Sequence, residues 1–113
     1  MVFNYTLYQM INETLQEKKS QMLDKLIEKF GKVDKNDYEK TYSDTIEDID
    51  KDQTLDNLYY KFNVIHPKDF TGRSMSVGDV VELEDAITHE LNFYYCDLIG
   101  FKKIDFLNLE EVN

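Results

Sequence analysis

The sequence predicts an α+β fold in which two N-terminal helices precede a small antiparallel β-sheet of three to five strands. Three observations predict it. Apolar residues recur at helical spacing through the first fifty positions, and the period switches to two near Leu58. The chain's one proline, its one arginine and two of its four glycines fall in a single stretch, HPKDFTGRSMSVGDVVEL (66–83), as a tight connection requires. A length of 113 residues is expected to hold one domain, with a helical acidic region over 1–57 and a β region over 58–113.

The first helix is expected over 7–30. Leu7, Ile11, Leu15, Met22, Leu26 and Phe30 recur at steps of four and seven, and Tyr8, Leu23 and Ile27 widen the stripe. Thr6 with Gln9 fits a capping box, and Gly31 stands where a left-handed C-terminal cap is wanted. Glu17, Lys18, Lys19 and Glu28 fall off the stripe. The apolar face is expected to bury on its own domain, with a homodimer through that face as the alternative use.

A second helix is expected from about Asp37 to Asp50. Tyr38, Tyr42, Ile46 and Ile49 keep helical spacing, and Asn36 with Glu39 three residues on resembles an N-cap. At 100° per residue, Asp37, Asp44 and Asp48 stack opposite the apolar stripe with Glu47 beside them. The segment DIDKDQTLDNLY (48–59) places Asp48, Asp50 and Asp52 at the first three ligand positions of a calcium-binding loop. It has Gln53 where that loop needs glycine and Tyr59 where it needs a bidentate glutamate, so calcium is not expected. No cofactor is expected.

From Leu58 the pattern alternates. In LYYKFNVI (58–65), Tyr60, Phe62 and Val64 oppose Tyr59, Lys61 and Asn63, which reads as a strand ended by His66-Pro67. DVVEL (79–83), LNFYYCDLI (91–99) and GFKKIDFL (100–107) read as further strands, with EDAITHE as a hairpin connection. Within the connection before them, Gly72 is expected to adopt positive φ, and Gly78-Asp79 to lead into the strand at Val80.

Charge narrows the function classes. Twenty-three acidic residues against 13 basic give a net charge of −10. Such a chain is repelled by phosphate backbones and anionic lipid, and cationic surfaces are its natural partners. No stretch approaches the ~20 apolar residues that span a bilayer, no leader is evident, and the single Cys96 suits a reducing compartment; a cytoplasmic protein is expected. Tyr59, Phe93 and Tyr94 could stack bases on a sheet, but 58–113 carries five basic and ten acidic residues, so a nucleic-acid-binding module ranks third. A basic patch around Arg73, Lys102 and Lys103 would revive it. An enzyme is not expected: His66 with Asp69 or Asp79 and Ser74 or Ser76 matches no nucleophile motif, and His66, His89, Cys96 and Asp97 have no metal-ligand spacing.

The stretch at 66–83, followed by YYCDLIGFKKIDF, resembles the YodL-like domain. Pro67, Asp69, Phe70, Gly72, Ser74, Met75, Ser76, Val77, Asp79, Val80 and Val81 match its first block. Tyr94, Tyr95, Asp97, Gly100 and Phe101 match its second. Arg73 and Gly78 depart from the pattern, where histidine and serine are usual. The resemblance covers about Leu58 to Phe106 and leaves the helical half outside. It implies no established chemistry, so the block is expected to be mainly structural, with Phe70, Val80, Tyr95 and Phe101 buried.

The resemblance also implies a setting, because such domains occur on plasmids, integrative elements and phages of Gram-positive bacteria. Small acidic proteins of mobile elements often counter host defence, anti-CRISPR proteins among them. The expected function is therefore to bind a basic host protein and inhibit it, most concretely an RNA-guided nuclease whose guide RNA or DNA is blocked. Asp37, Asp44, Glu47, Asp48, Asp50 and Asp52 form the expected partner-binding face. The alternative is a protein-interaction domain with no inhibitory role.

Overall fold

The structure, a computed structural model, describes residues 1–106. It begins with a strand rather than a helix. In β1 (Val2–Met10), Phe3, Tyr5 and Leu7 alternate with Asn4 and Thr6, and aromatic and β-branched side chains favour the pleat. β1 is followed by an irregular segment with a single 3-10 turn at Gln16–Lys18, then by α1 (Leu23–Phe30). β2 (Tyr38–Glu47), α2 (Lys51–Val64), β3 (Val80–Asp85), β4 (Leu91–Cys96) and β5 (Phe101–Ile104) complete the order. The five strands form one antiparallel sheet in the order β2-β1-β3-β4-β5. The fold is α+β, as expected, but its helices lie between strands.

Two expected helices are thus corrected. Leu7 and Tyr8 belong to the central strand, with Leu7 opposite Tyr42 on one side and Val81 on the other. A central strand is buried on both faces, so its side chains are apolar at consecutive positions, and that run passes for a wide helical stripe. Only 23–30 of the expected 7–30 helix forms. It buries Leu26 and ends as foreseen at Gly31, whose φ is +84° and whose N–H donates to the Ile27 carbonyl at 2.8 Å. The continuous apolar helical face over 7–30, expected to bury on its own domain with a homodimer as the alternative, is therefore not formed.

The second expected helix is β2, an edge strand. Steps of four fit a strand's two-residue period as well as a helical turn, and a bulge then interrupts the strand: Leu7 pairs with Tyr42 but Tyr8 pairs with Lys40, leaving Thr41 as an extra residue. Tyr42 and Ile46 therefore pack on one face of the sheet while Tyr38 packs on the other. Asn36 does not cap a helix here. Its N–H donates to Asp34 in a one-turn 3-10 helix at Lys35–Asp37.

The strand expected over 58–65 is the second half of α2. Asp50 caps this helix by accepting the Gln53 N–H at 2.8 Å. Leu55, Leu58 and Phe62, spaced at i, i+3 and i+7, turn into the sheet, whereas Tyr60 is 56% exposed and Val64 60%. Helical spacing on a buried face overrode the two-residue alternation. The later strands stand where expected, except that Leu107 lies outside the described residues.

Two cores result. On one face α2 packs against Phe3, Tyr5, Leu7, Val81, Leu83 and Tyr94. Phe62 centres an aromatic group there, with ring centroids 4.9 Å from Phe70, 5.6 Å from Tyr42 and 6.2 Å from Tyr5. On the other face, Tyr8, Val80, Phe93 and Tyr95 are roofed by Leu26, Val33, Tyr38 and Phe106. Truncating Phe62 to Ala should remove the contact between α2, β1, β2 and Phe70 together. The expected cost is about 3–5 kcal/mol, read by urea denaturation followed by circular dichroism.

Candidate functional site

The stretch 66–83 crosses the end of the sheet beyond α2 and feeds β3. One side chain holds it down. Gln9 of β1 is 1% exposed and forms three hydrogen bonds. Its Nε2 donates to the Arg73 carbonyl at 2.8 Å and to Asp79 Oδ2 at 3.0 Å, while its Oε1 accepts the Arg73 N–H at 3.1 Å. The side-chain amide therefore pairs with Arg73 as a neighbouring strand would. Asp79 Oδ2 also accepts the Ser76 N–H at 3.0 Å, closing the turn that leads into β3.

Gly72 belongs to the same arrangement, for a reason other than the one expected. Its φ is not positive, unlike those of Gly31, Gly78 and Gly100. A Cβ at position 72 would instead lie 2.5 Å from Gln9 Oε1 and 2.8 Å from the Phe70 ring. Close approach of the glutamine excludes a side chain there. Gly78 does need its left-handed conformation, at φ +104°, and its carbonyl accepts the Tyr38 hydroxyl at 2.5 Å.

The remaining block residues tie this segment to the first half of the chain. Asp69 accepts the Tyr42 hydroxyl of β2 at 2.9 Å, and Phe70, half-buried, packs on Phe62 of α2. Pro67 accepts the Phe70 N–H at 3.0 Å in a turn. Val80 and Tyr95 are buried as expected, and the Tyr95 hydroxyl donates to the Gln21 carbonyl at 2.6 Å. Asp97 accepts the Leu23 N–H at 3.2 Å, at the first turn of α1. Gly100, at φ +72°, turns the chain into β5, where Phe101 is half-buried against the α2 core.

No catalytic constellation is assembled from the candidate residues. Ser74 Oγ lies 3.2 Å from His66 Nε2, but both are exposed, and the carboxylates that could orient the ring are engaged elsewhere, Asp69 by Tyr42 and Asp79 by Gln9. His89 sits at the β3–β4 tip, at the opposite end of β4 from Cys96. Burial pushes the Cys96 thiol up to about 12, so it remains protonated in the core at neutral pH. Phe93 and Tyr94 are buried and Tyr59 is on α2, so the three aromatics form no stacking platform.

The expected acidic face is rearranged. Asp37 lies at the other end of β2, in a 2.8 Å ion pair with Lys18. Asp44 and Glu47 project from the edge strand and are exposed; Asp48, Asp50 and Asp52 follow at the start of α2. Several of these carboxylates accept backbone donors: Asp44 takes the Thr45 N–H, and Asp48 takes the Ile49 N–H and the Asn57 amide. Asp50 caps α2, and acids at a helix start suit its macrodipole. Among the described residues, Asp52 is the one member of this group besides Asp37 with an ion-pair partner, Lys51 at 3.5 Å.

The model of the YodL-like domain family matches residues 4–106. The chain belongs to the YodL-like family. The match extends well beyond the 58–106 expected from the motifs, and it includes β1, α1 and β2. The geometry gives the reason, since the motif residues are bonded or packed to those elements. No curated protein and no solved structure matches the chain. Among the described residues, no helix is long and apolar enough to cross a membrane.

Gln9 was missed as a site residue. A period-two reading of VFNYTLYQM would have placed Gln9 on the face of Tyr5 and Leu7, as a lone polar residue among core positions.

Burial pushes the Asp79 carboxyl up to about 6, although bonds from Gln9 and Ser76 act in the opposite direction. The folded state thus holds a proton on Asp79 between about pH 4 and 6, where the unfolded chain has released it. Asp79 favours folding most below its unfolded pKa, and this contribution is lost as pH rises through 6. Asp79→Asn keeps one oxygen for both donors and removes the buried charge. Urea denaturation should show this variant at least as stable as the parent at pH 7.5, by a margin on the order of 1–3 kcal/mol that shrinks by pH 4.5. Asp79→Ala strands both donors and should be destabilised at both pH values.

Proposed function

We propose that this YodL-like domain is a non-catalytic binding protein of a mobile element that presents its acidic rim to a cationic host protein. The most concrete form is inhibition of an RNA-guided nuclease by occupying the channel that holds guide RNA or DNA. The observation that carries the reading is the stretch of carboxylates from Asp44 through Glu47, Asp48 and Asp50 along the free edge of β2 into α2, none ion-paired among the described residues. Asp44 and Asp50 each accept an N–H through one oxygen and keep the other for an arginine or lysine, whereas Asp48 uses both of its oxygens within the chain. The rim lies on a rigid strand and a capped helix, so little ordering entropy opposes binding.

A cytoplasmic location in a bacterial host belongs to the same proposal. Charge-dominated contact with a phosphate-binding channel would compete directly with nucleic acid for the same cations.

The experiment replaces Asp44, Glu47 and Asp52 by Asn or Gln, leaving the caps Asp48 and Asp50 in place. Circular dichroism should report an unchanged fold, because exposed charges of this kind contribute only a few tenths of a kcal/mol to stability. Inhibition of guide-RNA-dependent DNA cleavage should weaken about tenfold or more and should fall with added salt. Undiminished, salt-insensitive inhibition would exclude the rim. A parent protein that does not inhibit would leave the interaction-domain reading in its place.

A further inference from the structure

At the end of β1 opposite the acidic rim, a cavity of about 220 Å³ opens beside the Gln9 anchor. Its lining includes Lys19, Ser20, Arg73, Ser76 and, at the floor, Asp79. In a chain with a net charge of −10, two of the 13 basic side chains meet here. Among the described residues neither has a carboxylate in contact: Arg73 Nη2 donates to the Met10 carbonyl at 3.1 Å, and Lys19 Nζ donates to the Asn12 carbonyl at 3.0 Å. Carbonyls fix the two cationic groups without cancelling their charge. Met10 and Asn12 are two residues apart, so the two carbonyls that anchor the head groups lie within roughly 7 Å of each other. Asp79 is the only acid in the lining, and it is 3% exposed with Oδ2 turned onto Gln9 and Ser76.

We propose that this cavity is a binding site for a single phosphate-type dianion, bridged by the Arg73 guanidinium and the Lys19 ammonium with hydroxyls of Ser20 or Ser76 as further donors. The guanidinium presents several N–H groups in a plane and uses only one terminal nitrogen on Met10, so it retains donors for a tetrahedral oxyanion. Ser20 holds φ +59°, a left-handed conformation uncommon for a serine, at the point where its backbone passes Gly78. Ser20 lines the cavity in that conformation. The net negative charge of the protein does not prevent binding at close range, since the Debye length is about 10 Å in 0.1 M salt. The charge that opposes the anion is local, on Asp79.

The opposition makes the site testable. Inorganic phosphate is titrated into the parent protein at constant ionic strength, followed by amide chemical shifts, with glycerol phosphate and acetate as parallel arms. Saturable shifts at Arg73, Ser76 and Ser20 are expected with both phosphates, and weaker ones with acetate. Response to glycerol phosphate alone would identify a phosphomonoester rather than free phosphate as the source. Arg73→Gln and Lys19→Gln should each weaken phosphate about tenfold, the loss of one charge-assisted bond, and Arg73→Lys should weaken it less. Asp79→Asn should bind several-fold more tightly, an outcome that diffuse surface charge would not produce. Each variant's thermal melt checks that the fold is retained. Absent saturation, or shifts that survive Arg73→Gln and Lys19→Gln in folded variants, would overturn the proposal.

Discussion

The Gln9 side chain joins the two halves of this protein. β1 is the middle strand of the left part of the sheet, and without a partner for its ninth residue the chain from 70 to 79 would have no reason to lie across it. A buried amide left unbonded costs on the order of 1–3 kcal/mol, so the glutamine stabilises the connection only where all its bonds are made together. Gly72, Arg73 and Asp79 supply that fit: Gly72 by lacking a side chain, Arg73 by offering both its carbonyl and its N–H, and Asp79 by a carboxylate that the Ser76 N–H also holds. The unusual residue content of 66–83 follows from this requirement. Glycine, arginine, serine and aspartate are there to be bonded or approached by β1, and Phe70 and Met75 fix the same segment to the α2 core.

Charge is fixed at both ends of the sheet by local hydrogen bonds. At the free edge, carboxylates occupy outward-facing backbone donors of β2 and the first turn of α2. This blunts an edge strand that would otherwise be open to pairing with other chains. At the other end, Arg73 and Lys19 are fixed by neutral backbone carbonyls. A protein of net charge −10 thus carries two surfaces of opposite sign on a common scaffold. The proposed contact with a cationic partner and the proposed anion site use different ends of the sheet, and neither depends on the other.

Much of the C-terminal half was legible in the sequence. Strands over DVVEL and NFYYC, the hairpin between them and the glycine bend at Gly100 all stand where patterning put them, because each is a half-buried antiparallel strand with turn residues on either side. The N-terminal half was misread for a physical reason. Tyr5 to Met10 is buried on both faces, and in β2 the four-residue steps Tyr38, Tyr42 and Ile46 fit a strand's two-residue period as well as a helical turn, so both strands imitate helices. In α2 the error ran the other way: Tyr59, Tyr60 and Val64 suit a strand, and only the burial of Leu55, Leu58 and Phe62 decides for a helix. The site was half legible. The motif residues identified its 66–83 side, but its β1 side rests on a single polar residue whose role depends on register. For the same reason the family relation was readable over 58–106 and not over the segment that pairs with it.

The account rests on Gln9 as the anchor, and amide hydrogen exchange in Gln9→Leu tests this most directly. Leucine is close in size and keeps the strand's apolar packing while removing all three bonds. Exchange should accelerate at Arg73 and Ser76, whose N–H groups bond to Gln9 and Asp79, while the β3–β4 ladder amides stay protected. Global stability should fall by about 2–4 kcal/mol. Unchanged protection at Arg73 and Ser76, with parent-like stability, would contradict the anchoring role of Gln9 and the account built on it.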